Sequence, residues 1–144
     1  MARAELFFDA SPEQVFAVLS DPFTYDRWVV GTRNIRHADP NWPETGSRLH
    51  HSVGIGPLNL NDDSEVLDVD PPNKLVLEAR GRPFGVARVE FRIDPDKNGS
   101  CVTIDEFVLR PMPVTLLNPV LAPAVRARNT ETLRRLATVV GKNA

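Results

Sequence analysis

The chain has 144 residues, 42% apolar and 25% charged, with a formal net charge of −2; this fits one domain, residues 1–144, of ordinary globular composition with room for a core and an internal cavity. The charge balance lacks the concentrated basic surface that nucleic-acid binding needs, and the one cysteine, Cys101, excludes an intrachain disulfide. No run approaches the roughly 18 apolar residues of a membrane span, and the N-terminus lacks the long apolar stretch of a signal peptide, so a cytoplasmic protein is expected, without integral membrane association, as a monomer or homodimer.

ARAELFF (2–8) alternates and predicts a strand. In SPEQVFAVLSDP, Ser11 is placed as an N-cap, Pro12 suits the first helical position and Gln14 completes a capping box. Val15, Phe16 and Leu19 give that short helix an apolar stripe. FTYDRWV (23–29) predicts a second short helix, with Tyr25 and Trp28 on one side. Six strand-like runs follow: TRNIRHAD, GSRLHHSVG, LNLNDDSEVLDV, NKLVLEARG, GVARVEFRID and CVTIDEFVLR. Turn chemistry separates them, including the Pro-bracketed loop around Trp42, where the indole is expected to anchor the loop. Connections this short favour antiparallel neighbours.

From about Val114 the chain predicts a long helix. It begins near Asn118 with Pro119 in its first turn, or kinks at Pro123, and Gly141 ends it. Leu133, Leu136, Ala137 and Val140 form its apolar stripe. Arg126, Arg128, Arg134 and Arg135 read as its solvated face.

These elements make an α+β fold: a strongly curved seven-stranded antiparallel sheet wrapped around a long C-terminal helix, with two short helices between strands 1 and 2. Such a sheet buries one face, and the last helix is the only long apolar element to cover it. A bent sheet and a straight helix leave space between them.

The order and several motifs resemble a known family. ASPEQVFAVLSDPFTYDRW is similar to the opening helix pair of START-like, helix-grip domains of the SRPBCC superfamily. EVLDVDPPNKLVLEAR resembles their strand–turn–strand, GSCVTIDEFVL their last strand and RNTETLRRLATVV their closing helix. The likeness spans essentially the whole chain and is nearest to the polyketide cyclase/dehydrase and lipid-transport group. It implies a cavity for a hydrophobic small molecule and no cofactor, and it leaves the ligand unnamed.

Strand alternation suggests which side chains face that cavity. In RLHHSVGIG the inward set is Leu49, His51, Val53 and Ile55, so His50 faces water and the His50-His51 pair is no metal site. Ile35 and His37 share a face, and a hairpin centred near Glu44 would set His37 almost opposite His51, both inward. Leu77 and Phe91 are inward by the same rule. In the last strand the apolar set Val102, Ile104 and Val108 takes Glu106 inward; the competing register would take Asp105 instead. Val125 and Asn129 complete the lining from the helix. Tyr25 and Trp28 are either ligand contacts at the pocket mouth or staples of helix to sheet. Asp62-Asp63 reads as a solvated strand edge. GIGPL (54–58) and GRPFG (81–85) are glycine-rich loops that could gate access.

Three readings stay open: a binding protein for a lipid, polyketide or aromatic compound; a cyclase- or dehydratase-like enzyme with His37, His51 and Glu106 as acid–base groups; and an interaction module with a filled core. No metal site is expected, since zinc wants three or four ligands.

Overall fold

The computed structural model describes residues 1–55, 57–82, 85–111 and 121–143. Its strands are β1 (Ala2–Phe8), β2 (Thr32–Ala38), β3 (Arg48–Ile55), β4 (Leu58–Asp70), β5 (Lys74–Gly81), β6 (Gly85–Asp96) and β7 (Gly99–Pro111). Between β1 and β2 lie α1 (Pro12–Leu19), a 3-10 turn (Pro22–Thr24) and α2 (Tyr25–Trp28); α3 (Leu121–Asn143) closes the chain. The sheet order is β1-β7-β6-β5-β4-β3-β2, and every neighbouring pair is antiparallel. From β2 to β7 consecutive strands pair as neighbours, and β7 returns beside β1. This is the helix-grip arrangement, with α3 gripped by the sheet.

Local chemistry places the helices as expected. Ser11 Oγ accepts from the Gln14 N–H, and the Ser11 N–H donates to Gln14 Oε1, closing the capping box. Pro123 is the third described residue of α3. Asn118 and Pro119 lie outside the described residues. Gly141 does not stop the helix, which runs on to Asn143.

The core sits at one end of the concave face. Leu75, Phe91, Ile93, Val102 and Ile104 from the sheet meet Leu133, Leu136 and Val140 of α3 there. Trp28 is fully buried among them, edge-on to Phe91 at 5.8 Å and tilted against Tyr25 at 4.4 Å. Leu19 O accepts from both Tyr25 Oη (2.7 Å) and Trp42 Nε1 (3.2 Å). One carbonyl thus ties α1 to α2 and to the loop before β3, and Trp42 anchors its loop as its position between prolines suggested.

The convex face is charged. Arg80 bonds Asp63, Glu65 and Glu78, while Arg48 approaches Asp63 and Glu65. Register shifts at Arg33, Arg36, Leu67 and, on β7, Leu109 mark bulges that help bend the sheet. No helix among the described residues is long and apolar enough to cross a membrane.

Candidate functional site

At its other end the inner side carries short, half-buried residues among those described. Ser64 pairs with Ala79 and Ala79 with Ala87; in the next row Gly81 pairs with Gly85. Ala79, Gly81, Gly85 and Ala87 are all half-buried although they lie on the inner side. Val53, Leu60 and Val89 around them are half-buried too.

Polar groups stand on both sides of this floor of small residues. On one side His51, only 6% exposed, extends the buried row from Leu49. Its strand partner is Asp62, and its Nε2 lies 3.1 Å from Ser64 Oγ. Its Nδ1 is buried and has no hydrogen-bond partner among the described residues. Burial pulls the imidazole below its ordinary value of 6.5, and the negative charge of Asp62 only partly opposes this. Asp62 is itself buried, which works against its charge. The Arg82 side chain (2.7 Å) and backbone N–H (2.8 Å) outweigh that and hold the carboxyl at about 2. The Arg36 guanidinium donates to the carbonyls of His51 and Asp62.

On the other side Glu106 projects inward from β7, level with Val89. Arg128 of α3 reaches down to it at 2.5 Å. The next residue, Asn129, begins the stripe that continues through Leu133, Leu136 and Val140, so it faces the sheet; it is 4% exposed. Asn129 Oδ1 accepts from Arg128 Nη2 at 3.4 Å, and Nδ2 has no partner among the described residues.

Several sequence expectations hold geometrically. Leu49, His51, Val53, Leu77, Phe91, Ile104 and Glu106 share the concave face, and Asn129 looks onto it; Val125 is half-buried on α3. The last strand takes the Glu106 register. Asp105 is buried as well, but on the outer side, under a bidentate contact from Arg3.

Others need correction. His37 does not enter the interior. Ile35 pairs with His51, but a bulge at Arg36 shifts the register, so His37 pairs with the outward His50 and is exposed. A single extra residue reverses the face of all that follow it. Tyr25 and Trp28 are packed into the filled core, so the staple reading describes them and a pocket mouth does not. Asp62 is no solvated edge residue, since it alternates with Ser64 and Val66, all buried. That alternation was readable, but adjacent Asp63 does face out, and the acidic pair masked its inward member. Arg128 likewise leaves the solvated face of α3 to meet Glu106. Of the two glycine-rich loops, Gly56, Pro83 and Phe84 lie outside the described residues.

A separate surface concavity of about 460 Å³ lies away from the concave face, lined by Arg27, Arg135, Thr138, Val139 and Lys142. Arg135 and Lys142 there belong to the closing turns of α3, where cations suit the helix dipole.

Chemically, the concave site offers a near-neutral imidazole on a hydroxyl, an amide donor and an apolar floor. Ser64, His51 and Asp62 do not form a nucleophilic triad, since Asp62 is engaged by Arg82 and His51 Nδ1 lacks a partner among the described residues. Among those residues no three of His, Cys, Asp or Glu gather as metal ligands.

The His51 environment predicts a pH dependence. The unfolded chain protonates at about the ordinary 6.5, before the folded imidazole does. Acidification below that value therefore favours unfolding, down to the depressed folded pKa. Asp62, Asp63 and Arg36 surround the ring, and Asp62, held at about 2, keeps its charge in this range. His51→Gln should flatten the fall in urea midpoint between pH 7 and pH 5; an unchanged slope would contradict the assignment.

The chain also matches known families and folds. Residues 2–141 match the family described as polyketide cyclase / dehydrase and lipid transport. The structure of TTHA0849 from Thermus thermophilus superposes with a TM-score of 0.77 at 16% identity, covering 99% of this chain and 98% of that one. Ara h 8.0201 gives 0.70 at 10% identity, covering 97% and 96%. The di-domain ARO/CYC StfQ from the steffimycin biosynthetic pathway gives 0.75 at 10% identity, with 98% of this chain lying over 50% of that one. A search of curated proteins finds no match. At these identities the structural likenesses speak for fold alone; the match over residues 2–141 goes further, and the chain belongs to the polyketide cyclase/dehydrase and lipid-transport family of helix-grip proteins.

Proposed function

We propose that this protein binds an apolar small molecule, a lipid, polyketide or other aromatic compound, at the open end of the concave face beneath the first turns of α3. The observation that carries this is the half-buried floor of Ala79, Gly81, Gly85 and Ala87, on a face whose other end is packed solid. Small residues facing inward leave room, and ligand sites combine such apolar concavity with a few placed polar groups. His51, Asn129 and Glu106 are those groups here. Burying a ligand against the floor supplies roughly 25 cal/mol per Å² before ordering costs.

The cyclase-like alternative draws on the family and on the fold shared with StfQ. It needs two titratable groups converging on one substrate atom. His51 on β3 and Glu106 on β7 are four strands apart, about 19 Å along the sheet at ~4.8 Å per strand, and Glu106 is tied to Arg128. This arrangement favours binding over acid–base work by that pair.

Native mass spectrometry of protein purified from its own cells, joined to titration with the neutral dye Nile red, tests the reading. A co-purified apolar compound, or saturable dye binding at one per chain, is expected. Neither compound nor dye would overturn it.

A further inference from the structure

The buried carboxylates of the concave site are already matched within the protein. Arg82 holds Asp62 from side chain and backbone, and Arg128 holds Glu106. A further cation nearby, Arg36, is exposed and bonds two backbone carbonyls. Of the three buried side-chain atoms without a partner among the described residues, Arg88 Nε lies on the outer side of β6, over Phe107, and the two on the inner side, Asn129 Nδ2 and His51 Nδ1, belong to an amide and an imidazole.

The amide has a direction. Its oxygen takes the Arg128 guanidinium, so the free end is the NH2, which only donates. Native proteins rarely leave a buried donor empty, because doing so forfeits its hydrogen bonds to water. The same Arg128 nitrogen bonds Glu106 Oε1 and Asn129 Oδ1, so carboxylate and amide are neighbours. An anionic ligand group reaching Asn129 would meet Glu106, whose partner Arg128 is already engaged, and would lose its own hydration with no uncommitted cation among the described residues to replace it.

Resting on the binding function proposed above, we propose that the site selects an uncharged ligand carrying a carbonyl or ether oxygen, which accepts from Asn129 Nδ2, and discriminates against carboxylates and phosphates. Asn129 is then a specificity-determining residue, and Glu106 disfavours anions by keeping Arg128 engaged.

Three naphthalenes of nearly equal size test this by displacement of Nile red: 2-acetylnaphthalene, 2-naphthoate and 2-ethylnaphthalene. The ketone should bind about 10-fold tighter than the naphthoate. Asn129→Leu should weaken the ketone about 5–10-fold, the reach of one hydrogen bond, and leave ethylnaphthalene unchanged. Glu106→Gln should improve naphthoate several-fold, since Arg128 is then uncompensated; its 42% side-chain exposure keeps the gain modest. That gain is a readout that mere loss of structure does not produce. Should Asn129→Leu fail to fold, Asn129→Ser keeps a shorter polar group, and a weakened ketone under it supports the proposal in the same way. Naphthoate binding as tightly as the ketone overturns the selectivity while leaving the pocket intact, and so does a ketone affinity indifferent to residue 129. No binding of any of the three, ethylnaphthalene included, overturns the pocket itself.

Discussion

Trp28→Ala is expected to cost about 3–5 kcal/mol of stability, the range for emptying a large aromatic from a core. Trp28 is fully buried, packed between Phe91 and Tyr25, and its Nε1 donates to Thr24 Oγ1 at 3.1 Å. The truncation opens a cavity and removes a partner from a buried hydroxyl, which itself donates to Asp21 O. Domains of this size hold only about 5–15 kcal/mol in all, so the variant should be partly unfolded at 37 °C. Urea denaturation followed by far-UV circular dichroism measures the loss. Phe23→Ala, five residues earlier and 58% exposed, is the control and should shift stability by less than about 0.5 kcal/mol. Equal effects from the two would mean that α2 is not stapled to the sheet.

Ala87→Trp should lower affinity for a bound apolar molecule by about 100-fold, some 2.7 kcal/mol, with little change in stability. Ala87 sits in the middle of the half-buried floor of small residues, paired with Ala79 on one side and Val108 on the other. An indole there would occupy the space assigned to the ligand. The same substitution in a packed interior forces neighbours apart and costs about 1–3 kcal/mol. The two measurements together therefore decide between a hollow and a solid interior. Lost Nile red binding with an unchanged melting temperature supports the hollow. Destabilisation with binding intact would place the ligand elsewhere.

The two halves of the concave face answer different demands. The end with Trp28, Phe91 and Leu136 provides folding stability through buried apolar area. The end with Ala79, Gly81 and Ala87 gives up that area by using short side chains. Leaving His51 Nδ1 and Asn129 Nδ2 without partners adds a further cost. A local violation of close packing and polar satisfaction, beside a well-packed core, is the pattern expected of a functional site.

Much of the architecture was legible in the sequence because its causes are local. The Ser11–Gln14 capping box, the alternation of Val89 and Phe91, and the stripe from Leu133 to Val140 are each set by residues within a turn or two of one another. The inward register of Glu106 followed from the same alternation. The position of His37 was not legible, because one bulge residue, Arg36, reverses a face, and a bulge depends on how β2 meets β3 rather than on β2 itself. Nor was the burial of Asp62, because its neighbour Asp63 faces the opposite way, and a run of two like residues hides a period of two.

By itself, then, the order of residues determined the strands, the helices, the helix-grip arrangement and the family, since periodicity, caps and turns act over short spans. Only the tertiary structure decided which charges meet. Arg82 with Asp62 and Arg128 with Glu106 are each about twenty residues apart in the chain, and their pairing depends on strand register and on where α3 settles over the sheet. It likewise decided that Tyr25 and Trp28 fill the core while Ala79 and Ala87 stay half-buried on the inner side, because packing is a property of facing surfaces and no single segment carries it.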